Sequence, residues 1–123
     1  MIKLTFCLHR LPHLSHVEFC DYWYGTHAPL VKSVADTLNI KRYVQSHGLG
    51  NADVDAAIAA SRGAPTPFDG VAELWWDDLE SMMAPGTTDE GRAAGQLLLE
   101  DEQKFIDLAR SPLWFNEEKM VIG

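Results

Sequence analysis

Residues 2–9 alternate without a break, with Ile2, Leu4, Phe6 and Leu8 on one face and Lys3, Thr5, Cys7 and His9 on the other, which is the period of a half-buried strand. Pro12 closes that run. Ser15 and Glu18 then have the spacing of a capping box, with Leu14 and Phe19 placed as its hydrophobic staple, so a helix is predicted from Ser15. Its apolar face reads Phe19, Trp23, Leu30 and Val34, and it ends near Leu38 and Asn39. This switch from a period of two to one of 3.6 happens twice. Strands are predicted at 40–47 and 70–76, a short helix from Asp78 through Met83, and a longer helix from about Asp89 to Ala109. The longer helix carries Leu97, Leu98, Phe105, Ile106 and Leu108 as its stripe. Pro112 stops it, and a last strand opens at 113–115 and continues toward Met120, Val121 and Ile122.

The resulting order is β-α-β-β-α-β. Two right-handed crossovers of this kind build a four-stranded antiparallel sheet with both helices on one face, an α+β fold of ferredoxin-like arrangement. The other sheet face is left bare. If the alternations run in phase, it carries Thr5, Cys7, Tyr43, Gln45, Glu73 and Trp75, a mixed polar and aromatic surface suited to a cavity. A second copy of the sheet is the economical cover, so a homodimer closing an α+β barrel is expected.

A chain of 123 residues is the size of one domain, and 46% hydrophobic composition excludes a disordered chain. Residues 48–68, rich in Gly, Pro and small side chains, read as a long loop around a short helix at 53–61, a segment suited to act as a lid over the pocket. A net charge of −8 argues against nucleic acid or an anionic membrane as partner. No apolar run is long enough to cross a bilayer, and MIKLTFCLHR reads as a strand rather than a signal peptide. Cys7 and Cys20 make no disulfide framework, so the expected compartment is the cytoplasm.

The stretch YWYGTHAPLV places Gly25 and Pro29, two helix breakers, around a histidine, His27. Pro29 cannot donate to the carbonyl of Gly25 and its ring crowds that turn, so a kink is expected that tilts His27 out of regular helix geometry. His27 reads either as a buried histidine satisfied by a carbonyl or as a proton-transfer group. His47, at the end of its strand, reads either as a solvated strand-end residue or as a second such group on the face of Tyr43 and Gln45. Two imidazoles can divide base and acid roles near neutral pH. Glu73 lies in an otherwise apolar strand and must be paired, with Arg42 or Lys3, or have a raised pKa. Trp23, Trp75 and Phe6 are candidate walls for a planar ring, and equally candidate core. Cys7, with no basic neighbour in sequence, reads as an inert thiol. His9, His13 and His16 fall on a strand end, a loop and a first helical turn and share no face, so no metal site is expected there.

The motifs MIKLTFCLHRLP, FCDYWYGTHAPLV, YVQSH, FDGVAELWWDDLE and DEQKFIDLARSPLW, in that order over residues 1 to about 115, resemble the EthD family of small dimeric α+β barrel proteins. The segment GLGNADVDAAIAASRGAPTP departs from it. The family includes fungal polyketide decarboxylases and dehydratases, and it is similar in fold to cofactor-free muconolactone isomerases. The resemblance implies a dimeric barrel with no metal or organic cofactor, and the HAPL and YVQSH matches favour functional roles for His27 and His47. The expected activity is therefore a cofactor-independent acid–base lyase or isomerase acting on a small cyclic or aromatic carbonyl compound. His27 and His47 would move protons, Tyr43, Gln45 and Glu73 would bind or orient substrate, and Trp23, Trp75 and Phe6 would wall the site. A non-catalytic ligand-binding accessory protein and a cofactor-free monooxygenase are the alternatives.

Overall fold

The computed structural model describes residues 1–123 and opens with β1 (Ile2–Leu8). Helix α1 (His16–Tyr22) starts at a complete capping box, in which Ser15 Oγ accepts from the Glu18 amide at 3.0 Å and the Glu18 carboxylate accepts from the Ser15 amide at 2.9 Å. A π-helical turn, Trp23–His27, carries the chain without a break into α2 (Ala28–Val34). There follow β2 (Arg42–His47), α3 (Ala52–Ala60), β3 (Gly70–Trp76), the short α4 (Leu79–Met83), α5 (Asp89–Glu102) and β4 (Leu113–Asn116). The sheet is fully antiparallel with strand order β2-β3-β1-β4, the ferredoxin-like α+β arrangement. No helix is long and apolar enough to cross a membrane.

The core sits between the sheet and α1 with its π turn, joined by the chain that leaves α5: Phe6, Leu8, Phe19, Trp23, Ala72, Phe105 and Ile106 form one buried cluster. Burying an apolar side chain of this size contributes roughly 1.5–3 kcal/mol, so this cluster dominates the fold's stability. Helix α5 ends at Glu102, earlier than its sequence pattern predicts. The reason lies in the partners of the residues beyond it. Asp107 donates its amide to the His9 carbonyl at 2.8 Å, Leu11 donates to the Phe105 carbonyl at 3.0 Å, and Phe105 and Ile106 are buried. Pairing with the end of β1 draws these residues off the helix axis. Residues 120–122 form no strand and are exposed.

Registers correct one sequence expectation. Residues directly opposite in an antiparallel pair share a face. Thr5 opposes Glu73 and Lys3 opposes Trp75, so β1 and β3 run in the expected phase. Strand β2 does not. Tyr43 opposes Leu74 and Gln45 opposes Ala72, so Tyr43, Gln45 and His47 lie on the helix-covered face, while Arg42, Val44 and Ser46 lie on the bare one. A strand with mixed residues on both faces leaves its phase to the pairing, and a shift of one residue inverts every side chain.

The helical face is corrected as well. Val31 is buried and Leu30 and Val34 are only partly so, because the π turn adds a residue and moves the inward face to Phe19, Trp23, His27 and Val31. Residues 48–68 hold the short helix α3, capped by Asn51, with no buried side chain. The ends of the segment are pinned where Gly48 donates its amide to the Asp69 carbonyl at 2.9 Å.

Candidate functional site

The π turn explains the breakers around His27. Pro29 has no amide hydrogen for the Gly25 carbonyl, and the chain widens by one residue so that Ala28 donates to the carbonyl of Trp23 five positions back. Gly25 itself is solvent-exposed with open space where a Cβ would stand, so it is tolerated in the turn rather than demanded by it. The turn delivers His27 to the interior at 5% exposure.

There its Nδ1 lies 2.7 Å from a carboxylate oxygen of Asp101, whose other oxygen accepts from the Tyr22 hydroxyl at 2.6 Å. Asp101 is 5% exposed and has Lys104 at 3.7 Å. These donors hold its carboxyl below the usual range against the opposing effect of burial. A carboxylate accepts only, so Nδ1 of His27 carries a proton and Nε2 is the ring nitrogen left for a ligand. Burial lowers the His27 pKa, although Asp101 opposes this, so the ring is neutral and basic at neutral pH.

His27 lines a cavity of about 200 Å³ between sheet and helices. Its walls include Leu4, Phe6, Trp23, Val31, Leu74 and Trp76, and the titratable side chains among its lining are His27, Tyr43 and Glu102. Trp76 is already committed to the Leu38 carbonyl at 2.8 Å. Glu102 follows Asp101 at the end of α5, and its carboxyl, desolvated and beside the negative Asp101, is pushed up to about 7.

The expected site residues divide. His27, Trp23, Phe6 and Tyr43 share the cavity. His47 is not among its lining residues. Instead it stacks on Trp23 with ring centroids 4.4 Å apart and bonds through Nε2 to Gln45 Oε1 at 2.7 Å. The Gln45 amide in turn donates to the Trp23 carbonyl at 2.9 Å and to the Tyr43 hydroxyl oxygen at 2.7 Å. This chain of contacts occupies the Tyr43 oxygen as an acceptor and leaves its hydrogen free to donate. Burial raises the Tyr43 pKa, so the phenol stays neutral.

Glu73 and Trp75 belong to the bare face, away from the cavity, which corrects their expected place beside Tyr43. Lys3 holds Glu73 at 2.7 Å, and Arg42 stacks 4.6 Å above the Trp75 ring, whose Nε1 bonds Glu118. Nor does segment 48–68 reach the cavity, whose lining includes none of its residues. Two of the three histidines of HRLPHLSH are separately engaged: His9 packs at a tilt on Phe68, and His16 bridges Asp69 at 2.9 Å and the Gly48 carbonyl at 2.8 Å.

Sequence reasoning missed Tyr22, Asp101 and Glu102. A signal was present in LEDEQKF. Three acids, Glu100, Asp101 and Glu102, occupy the last turn of α5 with no basic residue in that turn, where the helix dipole disfavours negative charge. Residues placed against that preference point to a tertiary use.

The EthD domain family model matches residues 11–109 of this chain. Among solved structures, an ethyl tert-butyl ether D (EthD) family protein of Bacillus halodurans C-125 is similar with a TM-score of 0.61 and 24% identity, covering 97% of this chain and 100% of its own. An EthD-like protein of Ralstonia eutropha JMP134 gives a TM-score of 0.61 at 20% identity, with 94% and 89% covered. A dimeric protein of ferredoxin-like fold from Bacteroides fragilis NCTC 9343 gives 0.56 at 12% identity, with 95% of each chain covered. At these identities the structures speak to the fold. No curated protein matches the sequence.

Proposed function

The chain belongs to the EthD domain family, and on that premise we propose that it is a cofactor-independent acid–base enzyme, a lyase or isomerase, in which His27 moves a proton on a small cyclic or aromatic carbonyl compound. The observation that carries this reading is the Asp101–His27 pair at 2.7 Å, on the wall of an otherwise apolar cavity. A carboxylate on Nδ1 keeps the imidazole in one tautomer and stabilises the cation that forms when Nε2 takes a proton. The cavity volume of about 200 Å³ suits one or two fused rings, and its aromatic walls suit a planar one. His47 acts in this scheme through Gln45 on Tyr43, as a positioning residue.

The bare sheet face, with Trp114 47% exposed, supports a homodimer in which a second copy covers it. Dimers are described for the ferredoxin-like proteins of Bacteroides fragilis and Thermobifida fusca that share the fold.

The test is deuterium uptake from heavy water at the carbon next to the carbonyl of 1-tetralone, a bicyclic aromatic ketone, read by mass spectrometry. The protein should accelerate exchange, and His27→Asn, which hydrogen-bonds without shuttling a proton at neutral pH, should remove that acceleration. Exchange that survives His27→Asn unchanged would sink the reading. Saturable binding of the ketone with no exchange would mark a ligand-binding protein instead, and oxygen consumption coupled to turnover would mark an oxygenase.

A further inference from the structure

Glu102 stands out once the His27 pair has been described. Its neighbour Asp101 spends both carboxylate oxygens on Tyr22 and His27, whereas the Glu102 carboxyl, which also lines the cavity, has no hydrogen-bond or ion-pair partner in the chain. A carboxyl group left unpaired in apolar surroundings carries a penalty that a merely structural position would not retain. No lysine or arginine is among the 17 residues that line the cavity. An anionic group entering it would meet Glu102 and the field of Asp101 with no cation to receive it.

We propose that Glu102 is the cavity's proton donor to the carbonyl oxygen of an uncharged ligand, and that the cavity rejects a ligand bearing a free carboxylate. This rests on the acid–base reading above and narrows its substrate class to neutral carbonyl compounds, which favours enolisation, isomerisation or dehydration over decarboxylation. The step balances within the chain's own groups. His27 Nε2 takes the proton from the carbon next to the carbonyl, and the C–H pair forms the new C=C bond. The carbonyl π pair moves to oxygen, which receives the proton of Glu102. Collapse of the enol returns a proton to Glu102 and takes one from the His27 imidazolium, at the original carbon or at a conjugated one, with no net gain or loss.

Desolvation and the charge of Asp101 keep Glu102 protonated up to about pH 7. The titratable groups that share its surroundings are Asp101 on its own helix, His27 from the π turn and Tyr43 from β2, with Lys104 turned to Asp101 at 3.7 Å. Burial raises the Tyr43 pKa and lowers that of His27, so near neutral pH the titrating group of the cavity is Glu102.

Titration calorimetry of the full chain with 1-tetralone and with 1-naphthoate, a bicyclic carboxylate of similar frame, tests this. At about pH 6 the ketone should bind at least tenfold more tightly than the carboxylate. Ketone affinity should then fall by up to about tenfold per pH unit above 7, as Glu102 loses its proton. Glu102→Gln, whose amide still donates, should keep ketone binding and lose that pH dependence, and Glu102→Leu should bind at least tenfold more weakly at about pH 6. Naphthoate binding equal to the ketone's, no saturable ketone binding, or an unchanged pH dependence in Glu102→Gln would each overturn the proposal. The His27→Asn variant separates the two readings. It should retain the pH-dependent binding while losing deuterium exchange. Binding that behaves as expected with no exchange in the native chain would sink the base role of His27 alone, and the converse would sink the donor role of Glu102 alone.

Discussion

At the scale of single residues, the cavity holds two groups whose ordinary titration is displaced in opposite directions, His27 downward and Glu102 up to about 7. The first makes a base and the second a carboxylic acid at the same neutral pH. Loss of a proton-transfer group typically removes about 10²–10⁴ of rate, so His27→Asn should lower ketone exchange to that extent while circular dichroism and melting change little. Asp101→Asn should depress exchange as well, because an amide NH₂ can donate to Nδ1 and hold the ring in the other tautomer. Glu102 has a consequence for stability. A carboxyl whose folded-state pKa is raised is protonated in the folded chain when the unfolded chain has already ionised, so it destabilises the fold as pH rises from about 4.5 through about 7. Glu102→Gln should therefore stabilise the protein by on the order of 1–3 kcal/mol in denaturant titrations at about pH 8, and by little at about pH 4. Equal effects at both pH values would show that the carboxyl is not held protonated.

Secondary-structure elements decide where these residues stand. The π turn is the device that puts His27, rather than its neighbours, on the inward face, and it does so by adding one residue between Trp23 and Val31. Because a Cβ at Gly25 meets nothing within 4 Å, Gly25→Ala should be accepted and should raise stability by up to about 1 kcal/mol, with exchange activity kept. Gly70 is the opposite case. A Cβ there would stand 2.5 Å from the Trp23 ring and 2.6 Å from the Ser46 carbonyl, where β2 and β3 pair beneath the π turn. Gly70→Ala should cost about 1–3 kcal/mol and displace Trp23 from its stack on His47, visible as a change in near-ultraviolet dichroism. The segment 48–68 is held at its base by His16, which donates from both ring nitrogens, to Asp69 and to the Gly48 carbonyl, so the ring is cationic and its pKa is raised by those bonds. Since a raised histidine pKa contributes stability that is lost as pH climbs through it, this clasp should loosen in base. In His16→Ala, amide exchange around Gly48 and Asp69 should quicken by about tenfold or more, with β1 unchanged.

At the scale of the molecule, one sheet face is covered by helices and the other is not. Lys3, Thr5, Val44, Glu73, Trp75 and Trp114 share the uncovered face, where Lys3 and Glu73 neutralise each other and the Arg42 guanidinium lies over the Trp75 ring. The proposed homodimer would bring two such faces together, and light scattering at micromolar concentration should report about twice 13.7 kDa. Trp114→Lys should shift the population toward the single chain by at least tenfold in dissociation constant, since a buried interface aromatic contributes about 2 kcal/mol or more. A native chain that remains at 13.7 kDa would sink the dimer and leave the cavity, which is complete within one chain, untouched.

Local chemistry determined most of the architecture. The alternation at 2–9, the capping box at Ser15 and Glu18 and the apolar strand at 70–76 each became the element that their periodicity demands, and their order dictates the sheet. The breakers in YWYGTHAPLV marked a distorted turn at the site, because a missing amide hydrogen is a property of Pro29 wherever it lies. What only the tertiary structure decided was phase and partnership. Nothing in RYVQSH says which of its faces pairs inward, and the register against β3 moved Tyr43 and Gln45 to the cavity side while leaving Glu73 and Trp75 on the other. Asp101 and Glu102 are adjacent acids at a helix end, indistinguishable by spacing from a solvated pair. One became the partner of His27 and the other an unpaired acid because α5 packs its last turn against the π turn, 74 residues away along the chain from His27 to Asp101. A carboxyl's pKa depends on the water and charge around it, and those are properties of the fold.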